Sequence, residues 1–316
     1  MSELRWHPFL RQWVAVAAHR QDRPQMPRDW CPFCPGSGKV PESYSTHLYR
    51  NDFAAFSPDD EPFFDSRGLY ATTGARGVCD VVLYSPDHHK TPAQLTVDQW
   101  REVIGLWTTR GEELYATLGI AYVAIFENQG EAIGVTMPHP HGQIYALPVV
   151  PSLVATEIES ARQNFDCYGE CLHCRVIVEE IEAGVRIVAS NDHFIAFVPH
   201  YCRFPSEVHL YARRHVGRLA ELDPGAETQA LASILSEVRR RYDGLYGFPL
   251  PLMMAVRQRS SNDDERKYAH LHIQFTPLQR SATKLKYLAA AETAHGLFLN
   301  DTRAEDQARA LRQVPL

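Results

Sequence analysis

Two stretches of the chain place apolar residues at the spacing of an amphipathic helix. In the first, Val103, Ile104, Trp107 and Leu114 share a face, and Thr96 with Gln99 offers a capping box at its start. In the second, Leu231, Ile234, Leu235, Val238 and Tyr242 mark the buried face. Asp223 caps that helix, and Pro224 suits its first position. A β-rich run follows each helix, over 121–127 and 250–257. Each half then reaches an extended His-x-His-x-Gln: His139-Pro140-His141-Gly142-Gln143 and His270-Leu271-His272-Ile273-Gln274.

The segments before the helices repeat as well. Asn51-Asp52-Phe53 aligns with Asn191-Asp192-His193, and 81–88 aligns with 208–215, setting Tyr84 against Tyr211 and His88 against His215. Each half opens on a Cys-x-x-Cys, and Leu95 and Leu222 follow the aligned histidines at equal distance. So many landmarks in one order indicate an internal duplication. The prediction is an α+β chain of two domains, 1–165 and 166–316, each an antiparallel sheet with helices packed on one side. The tail from Ser281 is expected to form a helix on Leu285, Leu288 and Ala289, stopping near Gly296.

Composition agrees with a compact water-soluble chain: 316 residues, 45% hydrophobic and 22% charged. A net charge of −6 carries no basic surplus for a nucleic-acid partner. No apolar run approaches the ~20 residues of a membrane helix, and the N-terminus lacks a signal-peptide core. A cytoplasmic enzyme with no membrane partner is expected. In that reducing compartment the seven cysteines are better read as ligands than as disulfides.

Tetrahedral zinc is commonly held by thiolates and neutral imidazoles. The first half offers Cys31, Cys34, His88 and His139, with His89 an alternative to His88; the repeat puts Cys171, Cys174, His215 and His270 in the matching places. Sites with all positions filled by protein would position the chain and leave water unactivated. In the strand after Pro140, alternate residues share a face, so His139 can hold metal while His141 faces substrate. A neutral imidazole is nucleophilic, and attack on an α-phosphorus gives a phosphoramidate. Gly142, with no Cβ, is expected to let a phosphate come close to the chain. Gln143 cannot titrate and would hold phosphoryl oxygens without activating water, which favours a transferase over a hydrolase.

The segment Glu127-Asn128-Gln129-Gly130, then Gly134-Val135-Thr136-Met137-Pro138 and His139 through Tyr145, resembles the active-site segment of the galactose-1-phosphate uridylyltransferase family, in the histidine-triad superfamily. The likeness extends to His19-Arg20 and Arg23-Pro24, to Ser85-Pro86-Asp87-His88 and to 280–283. It implies a duplicated histidine-triad-like fold, a homodimer, and a ping-pong exchange between UDP-glucose and galactose 1-phosphate through uridylyl-His141. By the same resemblance Asn51, Asp52 and Phe53 touch the nucleoside, and Asn128, Gly134, Thr136 and Gln143 lie near phosphate or sugar. Arg20 and Arg23 bind phosphate; Lys286 and Glu292 bind hexose or its phosphate, across the dimer interface. Val135 and Ala291 depart from residues common in the family, which leaves the hexose range open. Some members hold iron in the second half through a glutamate and histidines, here Glu157, His270 and His272 with Arg257-Gln258 where a further histidine would stand, so zinc on the second cysteine set is favoured over iron. Two rival readings are an adenylyl-transferring ADP-glucose phosphorylase and a non-catalytic zinc-scaffolded binding module.

Overall fold

The Thr96 capping box forms as expected: its hydroxyl accepts from the Gln99 backbone N–H, and the Gln99 side chain accepts from the Thr96 N–H. This starts α1 (Val97–Tyr115), whose Trp100, Val103, Ile104, Trp107 and Leu114 are buried. Its counterpart α4 (Ala226–Tyr246) starts later than the spacing predicts, with Gly225 at the cap and Pro224 in the turn before it, while the Asp223 carboxylate accepts from the N–H groups of Gly225 and Ala226. The chain is seen in a computed structural model that describes residues 2–22, 30–61, 63–66, 68–135 and 137–316.

Both helices lie on one face of a nine-stranded sheet. Its spatial order runs β3 (His47–Arg50), β6 (Val78–Leu83), β8 (His141–Leu147), β7 (Tyr122–Gln129), β12 (Leu252–Arg257), β13 (His272–Pro277), β11 (Val208–Ala212), β10 (Phe194–Phe197) and β9 (Ile187–Ser190). All of its pairings are antiparallel. The halves meet edge to edge at β7 and β12, with Leu252 opposite Gln129 and Val256 opposite Ile125. Two sheet edges that would otherwise be open are thereby paired. One apolar core runs beneath both halves, from Val82, Ile125 and Ile144 to Leu210, Ile273 and Phe275.

A second, four-stranded sheet is made by β1 (Glu3–His7), β2 (Gln12–Val16), β4 (Phe64–Asp65) and β5 (Thr72–Gly74). The connection between the halves forms α2 (Ser152–Tyr168) and α3 (Leu172–Ala183), with residue 165 inside α2. These helices cover the face of the sheet opposite α1 and α4: Val154 packs with Tyr122 and Leu147, and Ile177 with Ile195, Phe197 and Tyr211.

The tail differs from expectation. In place of a helix from Ser281 there is a hairpin of β14 (Gln279–Ser281) and β15 (Lys284–Leu285), followed by only one helical turn, α5 (Ala290–Thr293). Lys286 N–H returns to the Leu278 carbonyl, holding this stretch extended. Three apolar residues are too few to offset helix nucleation. The last helix, α6 (Ala304–Arg312), buries Ala308 and Leu311 in the main core.

Register also corrects the repeat. Leu83 pairs with His141, whereas Tyr211 pairs with His272. Tyr84 N–H bonds to Pro140, and Ala212 N–H to Leu271. Tyr84 is therefore the counterpart of Ala212, one residue from the alignment made on sequence. Because side chains alternate, that single step puts Tyr84 and Tyr211 on opposite faces.

Candidate active site and metal centres

His139 lies in the turn just before β8, with its Nε2–H on the Ser85 carbonyl at 2.8 Å. A carbonyl only accepts, so this contact fixes the tautomer and leaves Nδ1 as the ligand atom. Nδ1 faces Cys31 Sγ at 3.7 Å and Cys34 Sγ at 3.8 Å, and His88 Nδ1 lies 3.6 Å from Cys34 Sγ. Tetrahedral bonds of zinc to sulfur and nitrogen imply S···N edges of about 3.6 Å. The four donor atoms lie within 4.8 Å of one another, and His89 is not among them. Burial pushes His139 down to about 4, which keeps it in the neutral, ligating form.

The second set assembles in the same way. Cys171 caps α3 and Cys174 sits in its first turn. Cys174 Sγ is 3.7 Å from His215 Nδ1 and 3.6 Å from His270 Nδ1, and Cys171 Sγ is 3.9 Å from His270 Nδ1. Nε2–H of His270 bonds to the Ala212 carbonyl and that of His215 to the Arg266 carbonyl, both at 2.8 Å. Both sets thus lie at distances a tetrahedral ion can span, and the carbonyl bonds of His139, His215 and His270 leave their Nδ1 atoms to ligate. Glu157 and His272 stay outside the second set: Gln274 Nε2 reaches Glu157 at 3.2 Å, and Arg257 lies 3.8 Å from the same carboxylate. The glutamate–histidine set suited to iron is therefore not gathered, because an arginine faces the carboxylate.

His141 opens β8 at the wall of a cavity of about 1220 Å³, lined also by Asn128, Gly134, Glu131, Lys90 and His89. Its Nδ1–H donates to the His139 carbonyl at 2.7 Å, so Nε2 is the lone-pair nitrogen of the neutral ring. The strand places Gln143 and Tyr145 on the face of His141. Tyr145 Oη donates to Gln143 Oε1 at 3.0 Å, which orients the amide so that its NH₂ remains to donate. Tyr145 was not singled out from sequence, although the period of two along the strand would have found it.

Gly142 requires a correction. A Cβ there would fall 2.1 Å from Tyr84 Oη and 3.2 Å from the Phe126 carbonyl, on the helix-covered face. The glycine makes room for Tyr84 from behind the strand, not for a phosphate in front, because residues 141 and 142 must face opposite ways.

The remaining candidates are dispersed. Asn51 and Asp52 line a separate hollow of about 400 Å³ with Ser2, His19, Arg50 and Asp60. Asn51 Oδ1 accepts the Phe53 N–H, and Tyr49 donates to Asp52, so both side chains also shape this turn. Phe53 and Arg20 line neither space; Arg20 sits in the 3₁₀ turn Ala18–Asp22. Lys286 and Glu292 form a buried ion pair with each other at 3.0 Å and line neither space of their own chain. Arg23 and Thr136 lie outside the described residues.

Comparison with known proteins agrees with this geometry. Residues 1–151 match the N-terminal domain of galactose-1-phosphate uridyl transferase, and residues 157–315 match its C-terminal domain. A galactose-1-phosphate uridylyltransferase of Thermotoga maritima is 35% identical over 99% of this chain and 99% of that protein. A solved uridylyltransferase superposes with a TM-score of 0.90 at 31% identity, covering 99% of this chain and 98% of that one. An ADP-glucose phosphorylase from Arabidopsis thaliana shares the fold, with a TM-score of 0.78 at 22% identity and full coverage of both chains. The chain belongs to the galactose-1-phosphate uridylyltransferase family.

Proposed function

We propose that the protein moves UMP from UDP-glucose to galactose 1-phosphate through a covalent intermediate on His141. One observation carries this most directly: the His139 carbonyl holds Nδ1–H of His141, leaving Nε2 as the nucleophile at a large cavity. Nε2 attacks the α-phosphorus, a P–N bond forms, and the bond to the oxygen of glucose 1-phosphate breaks. Galactose 1-phosphate then attacks the same phosphorus through a phosphate oxygen, releasing UDP-galactose and restoring His141. The Gln143 amide donates to the phosphoryl oxygens and has no titratable proton with which to activate water. Asn128 and Gly134 lie along the sugar and phosphates, and Asn51, Asp52 and Phe53 bind the nucleoside, with Arg20, Arg23 and Thr136 completing the site.

Zinc is the ion that both Cys₂His₂ sets suit, and its contribution is structural: bound zinc holds the chain around His139 and around the start of α3. Lys286 and Glu292 act across a homodimer interface, which accounts for their distance from the cavity of their own chain. The catalytic domain is 1–165 and the second domain 166–316. No helix among the described residues is long and apolar enough to cross a membrane, and we place the enzyme in the cytoplasm.

The test is mass spectrometry of enzyme quenched with UDP-glucose or ADP-glucose, kept away from acid because a P–N bond is acid-labile. UMP on His141 from the first donor alone is expected. Turnover without labelling would exclude the mechanism, and AMP labelling would reassign the donor.

A further inference from the structure

Behind the nucleophile, on the face covered by helices, the two halves are packed with different residues. Tyr84 is fully buried, its hydroxyl against the Cα of Gly142 and the Glu127 carboxylate, its ring between Trp100 and Trp107. Glu127 pairs with Arg239 at 2.9 Å, each 1% exposed, and Arg239 also hydrogen-bonds Gln129. Arg239 comes from α4, in the other half of the chain.

Register identifies the counterparts. Phe126 pairs with Gln143, and Ala255 with Gln274, so Glu127 corresponds to Val256; Gly142 corresponds to Ile273 and Tyr84 to Ala212. One half therefore carries Tyr, Glu and Gly where the other carries Ala, Val and Ile. The bulky group sits on the neighbouring strand in the first and on the His-x-His strand in the second. Six of the eight buried side-chain N or O atoms without a well-formed hydrogen bond among the described residues belong to Tyr84, Trp100, Trp107, Glu127 and Arg239. A well-packed apolar trio generally serves stability at least as well as a buried ion pair. The second half shows that this fold accepts one.

We infer that Tyr84, braced by Glu127 and Arg239, is a positioning residue: it presses on Gly142 from behind and sets how far His141 projects into the cavity. The inference rests on the covalent mechanism proposed above. A transfer step that needs near-attack geometry is sensitive to displacements well under an ångström, whereas substrate binding by the rest of the cavity is not.

The experiment measures the single-turnover rate of His141 labelling by UDP-glucose, alongside Tm and metal content, in the intact enzyme. Tyr84→Phe keeps the ring and removes the pressing hydroxyl; it should slow labelling about tenfold or more, with KM for UDP-glucose within about twofold. The double variant Glu127→Gln/Arg239→Met, which removes both charges, should slow it similarly. Arg239→Lys should recover part of the rate. Val256→Ala, the same depth of core behind the second half, should lower Tm and leave labelling unchanged. Wild-type labelling rates in both folded, metal-loaded test variants would overturn the inference, as would an equal slowing by Val256→Ala, which would mean general loosening of the core. If the wild-type enzyme itself is never labelled, the covalent mechanism fails instead.

Discussion

The two halves share a sheet, a helix layer and a Cys₂His₂ set, yet only one has kept room in front of its second histidine. His141 lines an open cavity, whereas His272 is 3% exposed, with the Tyr211 ring stacked on it at 4.6 Å and His173 at 5.1 Å. Gln274 donates to His272 Nε2 at 3.2 Å, closing the atom that corresponds to the nucleophile. The α2–α3 hairpin packs over this face through Ile177. On the mechanism proposed above, one copy carries the chemistry and the other serves as scaffold. The divergence rests on a few volume choices: Leu83 against Tyr211 in front, Gly142 against Ile273 behind.

The comparison breaks most sharply at the two histidines. His141→Asn should cost on the order of 10⁴-fold or more in turnover, with its metals and fold intact. His272→Asn should keep turnover within a few-fold and lose about 2 kcal/mol of stability through lost packing. Steady-state kinetics and denaturant titration on both variants would settle this, and equal losses of turnover would refute the division of labour. Next come the metal sets. Cys34→Ser should release one equivalent of metal and lower both Tm and turnover, since His139 carries the backbone of His141. Cys174→Ser should also lower Tm, by roughly 10 °C or more, while the activity of the folded fraction survives. Metal analysis with thermal melts checks both.

A smaller asymmetry concerns acid. Burial alone would raise Glu207, but the hydrogen bond and charge of His209 at 2.8 Å, with the N–H groups of Arg203 and Phe204, outweigh it and hold the carboxyl below its ordinary value. A depressed carboxylate contributes stability that is present above its unfolded pKa and is lost as pH falls through the folded one. Glu207→Gln should therefore flatten the stability–pH curve below about pH 4.5. An unchanged slope in urea melts across that range would contradict it. Smallest of all, Thr96→Ala and Asp223→Ala should each cost about 1 kcal/mol by removing the side-chain acceptor at each helix start, with no effect on turnover. Unequal costs would show that the two helix starts have diverged.

Much of the architecture was legible in advance because it is local or repeated. The cap at Thr96, the Asp223 acceptor just ahead of α4, apolar stripes on α1 and α4, and paired Cys-x-x-Cys and His-x-His motifs each follow from spacing alone. The tail was misread because three apolar residues do not distinguish a helix from a hairpin, and the chain instead pairs β14 with β15 and returns the Lys286 N–H to Leu278. Gly142 was misread because a glycine shows that a side chain is unwelcome without showing from which side. Tyr84 and Tyr211 looked equivalent because a one-residue slip is invisible in an alignment of similar strands.

The amino-acid order alone determined the duplication, the helix starts, both ligand sets and the histidine to suspect, since each depends on neighbours within a few residues or on recurrence of a pattern. Tertiary structure alone decided that the two sheets join at β7 and β12, that Arg239 reaches Glu127 from the other half, and that Tyr211 fills the space its counterpart leaves open. Those outcomes depend on register and on volumes brought together from distant parts of the chain, Glu127 and Arg239 being more than a hundred residues apart, and in a sheet a shift of one position exchanges the buried face for the open one.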